Sequence, residues 1–456
     1  MFRGELVSRR IPLPRLTQRQ RMARWQRERR QQTIILVVFT ALLCSAIGLM
    51  VWAGANRYYD ANLKTVASID GHNLPFRLYN RERAYELVKF YADNGVPAAF
   101  ENDQRIQQQK SDYDGVAINS LVEQLLLVAV ARDDGYAISD ADVRTRYVDE
   151  FSQYRTRHVL VKIDDTATDK AAADAAALAK ATDIAKQLKA DPNNKDLWTT
   201  LAKTSDDPGS KDKGGEIGWT SKGNLVAEYE AATKTLSAGQ ITDPVKTSFG
   251  YHVIQLEERR APEANPLIQR WFSSGFGLDE VLLHTKYDML REHYTEVAQS
   301  QSAKSPTDQI HLLHIVVNLP APTTRLPTDF TSALKKVTEV KAEIAKGTDF
   351  AAIAKQYSDD KTEADAGGDI GWFARGQLDS VTKEKELFAM AAGTVSRQFS
   401  ALGSTEFYKF VEKDPARALT DEQTTKIKDS AYAYWFDQNR RLHDLQKLVT
   451  GYEFAP

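Results

Sequence analysis

Two stretches decide the fold: Ser205–Leu225, SDDPGSKDKGGEIGWTSKGNL, and Ser358–Leu378, SDDKTEADAGGDIGWFARGQL. They align without a gap and 11 of 21 positions are identical, which marks an internal duplication. The correspondence extends upstream. The β-type run Arg157-His158-Val159-Leu160-Val161-Lys162 is answered by His314-Ile315-Val316-Val317, and the short helical pattern at Leu197–Lys203 by Phe350–Lys355. In the first copy an Ala-rich helix is expected over Lys170–Lys189, with Leu178, Ala181, Ile184, Ala185 and Leu188 on one face, and Tyr251–Leu256 closes the copy as a strand. The chain therefore carries two copies of one module, 157–259 and 311–413, each of ordinary domain size. Gly214-Gly215 and Gly367-Gly368 read as tight turns leading into a strand rather than as phosphate cradles.

Outside the repeat the pattern is helical. Residues 61–154 begin with a short extended piece, Thr65–Asp70. Ile118, Leu121, Val122, Leu125, Leu126 and Ala129 then recur at helical spacing, and Ser139 with Asp142 caps a further helix through Val143 and Tyr147. The insert 262–308 is Pro-marked at both ends and helical around Leu278–Val297. At 420–450 Thr420 with Gln423 starts a long helix carrying Ile427, Ala431, Tyr434, Trp435, Gln438, Leu442, Leu445 and Val449. That stripe must pack against something, most simply the N-terminal helices.

The N-terminus carries a different signal. Residues 1–32 hold ten Arg against Glu5 and Glu28, and the run Ile34–Ala55 is uncharged and almost wholly apolar. Its 22 residues reach about 33 Å, enough for a hydrocarbon core of about 30 Å. Residues 33–55 thus read as a transmembrane helix, with the basic segment 1–32 cytoplasmic and everything after Arg57 extracytoplasmic. Ala53-Gly54-Ala55 has the form of a cleavage site, but the apolar run exceeds a usual signal core, which favours an uncleaved anchor. Cys44 is the sole cysteine and lies inside the span, so no disulfide staples the body.

Composition narrows the function. With 42 % hydrophobic and 27 % charged residues over 456 positions, the chain is neither wholly disordered nor a polytopic membrane protein. Without residues 1–32 the body has 50 basic and 60 acidic residues, so no nucleic-acid partner is expected. His311 and His314 would point to opposite faces of a strand, so no metal site is expected there. No nucleotide-binding Gly loop, HExxH or Gly-x-Ser-x-Gly occurs.

The order of motifs resembles the parvulin family of peptidyl-prolyl isomerases: the RHVLV strand, then Ser-Asp-Asp…Gly-Gly-Glu-Ile-Gly-Trp, then Pro244-Val245-Lys246-Thr247-Ser248-Phe249-Gly250-Tyr251-His252-Val253-Ile254. The whole plan is similar to that of the SurA chaperones and PrsA foldases, in which flanking helices form a client-holding domain. The resemblance implies an α+β protein, each parvulin-like domain a four-stranded antiparallel sheet wrapped by helices, and no cofactor. It implies a catalytic group of His158, His252, Asp207 and Thr247 in the first copy. Ile217, Leu225 and Tyr229 would hold the proline ring, and Phe249 would stand where some parvulins carry a small polar residue. The alternative for the histidines is that they satisfy each other in a core.

The second copy keeps His314, Asp360, Ile370 and Leu378 but departs elsewhere. Its proline-ring aromatic falls among Val381, Thr382 and Lys383, its closing strand Gly403–Phe410 has no histidine, and Gln398-Phe399-Ser400-Ala401 replaces Pro-Val-Lys-Thr. It is expected to keep the fold and lose most or all activity. Three functions compete: an isomerase acting on exported proteins at Xaa-Pro bonds beside the secretion machinery, a holdase for unfolded clients, and an assembly scaffold. The apolar insert Trp271, Phe272 and Phe276 favours the holdase if exposed, or forms a core if packed.

Overall fold

The protein is described from a computed structural model, which describes residues 18–96, 104–319, 327–378, 380–401 and 403–448. These fall into two compact units, one running to Val66 together with Leu74–Leu78, the other holding Ala67–Asn73 and the chain from Tyr79 onward.

The first unit is built on α1 (Gln18–Tyr58), 41 residues long. The helical stretch Arg24–Leu63, which runs from α1 through the turn that follows it, has a mean hydropathy of 2.8 in its most apolar window, and none of that window is buried. It is long and apolar enough to cross a membrane.

The second unit opens with β1 (Thr65–Ile69) and β2 (His72–Pro75), whose ends are shared with the first unit. Helices α2 (Phe76–Asp93), α3 (Gln104–Asp134) and α4 (Asp140–Phe151) follow. Ser139 caps α4 by accepting the Asp142 N–H at 3.1 Å. The first sheet begins with β3 (Gln153–Val161), continues through α5 (Lys170–Ala190), α6 (Lys195–Ala202), β4 (Glu216–Thr220), α7 (Ala227–Thr235) and β5 (Val245–Thr247), and ends in β6 (Gly250–Arg260). Two helices, α8 (Pro266–Ser273) and α9 (Leu278–Gln301), lead to the second sheet. There β7 (Thr307–Asn318) is followed by α10 (Pro327–Lys346), α11 (Phe350–Tyr357), α12 (Lys361–Asp365), β8 (Asp369–Ala374), α13 (Val381–Ala389), β9 (Phe399–Ala401) and β10 (Ser404–Arg417). Last come α14 (Asp421–Leu442) and β11 (Gln446–Lys447).

The two sheets share one antiparallel topology: the strand orders are β4-β3-β6-β5 and β8-β7-β10-β9. Alternation along β3 and β6 sends Val159, Val161, Tyr251 and Val253 to one face, where Ala181, Ile184, Leu188 and Trp198 of α5 and α6 cover them. Leu178 lies at the edge of that face and is 40 % exposed; Ala177 takes its expected place in the core. The opposite face of the first sheet receives His158 and His252. In the second sheet Ile315, Val317 and Phe407 pack on α10 and α11, while Leu312, Tyr408 and Phe410 pack on Leu387 and Phe388 of α13.

Trp271 and Phe276 are buried, not displayed. Tyr85 of α2 stacks on Trp271 at 4.5 Å and meets Phe276 edge-on at 5.5 Å, and Phe272 packs at the margin of the same core. The insert is therefore the core of a helical domain rather than an exposed client surface. The C-terminal helix also differs from expectation. It stops at Leu442 because Asp444 adopts a left-handed conformation, φ 43°, and Leu445 N–H returns to Arg440 O at 2.8 Å. Leu445 is buried beyond that turn, and Val449 lies outside the described residues. Its chief support is α9 of the insert, through Trp435 stacked on Tyr294 at 4.8 Å, with α3 added by a Tyr432–Glu123 hydrogen bond of 2.6 Å.

Candidate active site

The site of the first module is set by strand register and one turn. Leu160 of β3 lies opposite His252 of β6, so His158, two residues before Leu160, projects from the same face as His252. The turn after α6 is pinned from below: Ser205 accepts the Leu160 N–H at 2.9 Å and the Asp207 N–H at 3.2 Å, and Asp206 N–H donates to Leu160 O. Gly215, at φ 82°, then brings its carbonyl to His158 N–H at 2.8 Å. A Cβ at that position would strike the His158 carbonyl, so only glycine permits the approach.

These constraints bring four of the expected residues into one chain of hydrogen bonds. His158 Nε2 lies 2.9 Å from Asp207 Oδ2, His158 Nδ1 lies 3.0 Å from His252 Nδ1, and His252 Nε2 lies 2.9 Å from Thr247 Oγ1. Burial pushes the Asp207 carboxyl up, but hydrogen bonds from Ser210, His158 and the Gly209 N–H outweigh it and hold it at about 2. Burial keeps His158 neutral against the pull of Asp207; burial and then the His158 ring hold His252 down at about 4. With an ionised carboxylate and two neutral rings the directions follow. Thr247 O–H donates to His252 Nε2, His252 Nδ1–H to His158 Nδ1, and His158 Nε2–H to Asp207. Phe249 N–H fixes the Thr247 hydroxyl at 3.1 Å.

Tyr229 is buried edge-on to both rings, at 5.8 and 5.5 Å, with its hydroxyl donating to Thr156 at 3.0 Å. Ile217 and Leu225 are half-buried. Phe249 contributes its backbone to the network, while its side chain is 58 % exposed. Sequence reading missed Ser210, which donates to Asp207 and lies 3.1 Å from His158 Nε2. Its spacing, three residues after Asp207 at a helix-like turn, was the available signal.

The second module keeps the frame and replaces the contents. Gly368 O accepts the His314 N–H at 2.7 Å, as Gly215 O does for His158. Asp360 is not the acid beside the ring: it caps α12 by accepting the Glu363 N–H at 3.0 Å, and Glu363 contacts His314 Nδ1 at 2.9 Å. Glu363 stands where the ungapped repeat has Ser210. Glu406 pairs with Val316 as His252 pairs with Leu160, and Lys383 is the third residue of α13 as Tyr229 is of α7. The two form a buried ion pair at 2.6 Å, joined by the Tyr408 hydroxyl at 2.9 Å from Glu406. Tyr408 stacks on His314 at 4.4 Å, and His314 Nε2 is buried without a hydrogen-bond partner. Among the described residues no group of three His, Cys, Asp or Glu could hold a metal ion.

A histidine pair under a carboxylate, on a four-stranded antiparallel sheet and beside a buried tyrosine, defines a parvulin-type module. A family description for the PPIC-type PPIASE domain matches residues 158–258, and a second of the same description matches 296–404. Relatives agree. The "Foldase protein PrsA" of Geobacillus sp. (strain WCH70) is 33 % identical over 144 residues, covering 31 % of this chain and 46 % of the relative. The "Chaperone SurA" of Chromohalobacter salexigens is 38 % identical over 120 residues, 26 % of each chain. The "Probable parvulin-type peptidyl-prolyl cis-trans isomerase" of Bordetella pertussis is 30 % identical over 205 residues, covering 39 % of this chain and 73 % of the relative. The chain belongs to the parvulin family, and it is SurA- and PrsA-like in carrying PPIC-type modules, two of them here. It spans less than half the length of those PrsA and SurA relatives.

Proposed function

We propose that the chain is an extracytoplasmic peptidyl-prolyl cis–trans isomerase and folding chaperone, anchored by α1, in which the first module does the catalysis. The observation that carries this reading is the complete directional network from Thr247 through His252 and His158 to an ionised Asp207, present in the first module and broken in the second.

The chemistry needs no covalent step. An Xaa-Pro bond resists rotation by about 18–20 kcal/mol because resonance gives its C–N bond double-bond character and places negative charge on the carbonyl oxygen. Asp207, whose side chain is 23 % exposed at the rim, holds a fixed negative charge beside the place that oxygen would occupy. That charge disfavours the planar, charge-separated form and so favours the twisted one. The neutral rings hold the carboxylate still; they transfer no proton. Ile217, Leu225 and Tyr229 supply the apolar seat for the proline ring, and Phe249 offers an exposed apolar wall to the flanking residue. The Arg-rich flank of α1 supports a cytoplasmic N-terminus and an exported body. The second module serves as a fold-retaining arm without turnover.

The test is refolding. The full chain in detergent should accelerate the proline-limited refolding of an unrelated protein, and Asp207→Ala should abolish most of that acceleration. Equal acceleration by the variant would remove the catalytic assignment.

A further inference from the structure

The N-terminal half of α1 carries more specific charge chemistry than membrane orientation requires. The helix runs unbroken from Gln18 to Tyr58, so the apolar span beginning at Ile34 continues as helix into the Arg-rich flank. All ten basic residues of 1–32 are Arg and none is Lys, whereas 30 of the 50 basic residues after them are Lys. Orienting a spanning helix takes positive charge from either residue. Exclusive use of Arg points to what an ammonium lacks, a planar fork that grips a phosphate through two parallel hydrogen bonds.

The geometry says which carrier of phosphate fits. At about 100° per residue, Arg24, Arg27, Arg29 and Arg30 stand at about 0°, 300°, 140° and 240° around the axis. All four are exposed. They form a collar, not a stripe. A helix bound along one side to a nucleic acid or a protein would gather its charges on that side, and one lying flat on a membrane would show an apolar face. A layer of lipid headgroups surrounds an emerging helix on every side.

Depth agrees with this. The headgroup layer outside the hydrocarbon is about 5–8 Å thick. Arg30 and Arg29 lie four and five residues before Ile34, about 6 and 7.5 Å along the axis, and so fall within it. Arg27 and Arg24, at about 10 and 15 Å, stand within about one Debye length of its outer edge. Their charge is largely unspent. Arg24 pairs with Glu28 at 3.3 Å, both exposed, while Arg27 and Arg30 have no carboxylate partner among the described residues. Arg29 lies over the Trp25 ring at 4.4 Å, a contact that steadies the guanidinium without neutralising it.

We propose that this collar binds anionic phospholipids of the leaflet from which α1 emerges, Arg29 and Arg30 gripping headgroup phosphates directly and Arg24 and Arg27 attracting them through space. The inference rests on the reading that α1 spans the membrane, but not on which side its N-terminus lies, and it needs no prolyl bond.

The test uses the full chain in phosphatidylcholine vesicles with a trace of spin-labelled phosphatidylglycerol or of spin-labelled phosphatidylcholine. Electron paramagnetic resonance reads the motionally restricted fraction of each probe. Both leaflets hold the probe, so the direction of insertion does not matter. A basic residue at a headgroup surface is worth about fivefold, and the parent should hold the anionic probe at least that much more tightly than its zwitterionic twin. Arg27→Gln, Arg29→Gln and Arg30→Gln together should bring the two probes to about equal affinity. The matching triple change to Lys should fall at least about twofold below the parent, since it keeps the charge and loses the fork. An equal probe ratio in the parent and the Gln variant, or a Lys variant indistinguishable from the parent, would overturn the proposal. Tight binding of a short single-stranded RNA by the full chain in micelles, with no preference between the lipid probes, would overturn it in favour of a nucleic acid. Alkaline carbonate extraction of the same vesicles reports the anchor separately: release would remove the spanning reading and the collar with it, whereas retention with equal probe affinities would remove the collar alone.

Discussion

Replacing Lys383 by Met removes one half of the buried ion pair that occupies the second module's site. In the intact chain the Lys383 ammonium sits 2.6 Å from Glu406, with the two side chains only 7 % and 11 % exposed. Met keeps the length of the side chain and most of its packing, so the loss is electrostatic. Glu406 would retain the Tyr408 hydroxyl at 2.9 Å and a weak contact from Ser404 at 3.4 Å, neither carrying charge. Stranding a buried charge in this way costs about 3–5 kcal/mol. Glu406 lies on β10, whose long ladder with β7 is the spine of the sheet, so the cost falls on the opening of that ladder. At about 1.36 kcal/mol per decade, amide protection along β10 should fall by about 10²- to 10⁴-fold in hydrogen exchange of the full chain. Protection in β6 should stay as it was. The double variant Lys383→Met with Glu406→Met should recover to within about 1 kcal/mol of the parent or exceed it, because both desolvation penalties vanish together. A single variant that loses less than about tenfold protection, or a double variant as labile as the single, would refute the claim that these two charges sustain each other.

The histidine pair gives a pH dependence of fixed sign. His252 titrates near 4 in the fold against 6.5 when free, so the first module has this stability in full above pH 6.5 and loses it as pH falls toward 4. Melting at pH 7.5 and pH 5 should show a lower midpoint in acid; a higher midpoint would contradict the neutral-pair assignment. Gly215→Ala should destabilise the first module by about 2 kcal/mol or more, since it combines left-handed strain with a clash against the His158 carbonyl, and turnover should fall with it. Gly368→Ala meets the His314 carbonyl in the same way and should destabilise the second module while sparing turnover, read by melting and by an isomerisation assay side by side.

The frame was legible because it is repeated. The Gly-Gly turns, the strand before each and the alternation that sends His158 and His252 to one face follow from local sequence, and the turns serve the same backbone contact twice. What stayed hidden depends on tertiary context. Nothing local says that Lys383 and Glu406, 23 positions apart, meet in a core, since buried charges look like surface charges until the partner is known. Asp360 matched the motif, yet its neighbour Glu363 has the length to reach His314, and Asp360 became a helix cap. The end of α14 was missed because Asp444, not glycine, takes the left-handed position. Trp271 and Phe276 could have been displayed or buried; Tyr85, about 190 positions upstream, decides for burial.

On the proposed function, turnover belongs to the first module alone. Exchange NMR on a short Xaa-Pro peptide, with the full chain in micelles, would compare the parent with Asp207→Ala and with Glu363→Ala. Line broadening from catalysed cis–trans exchange should disappear with Asp207→Ala and persist with Glu363→Ala. Persistence in the first and loss in the second would contradict it.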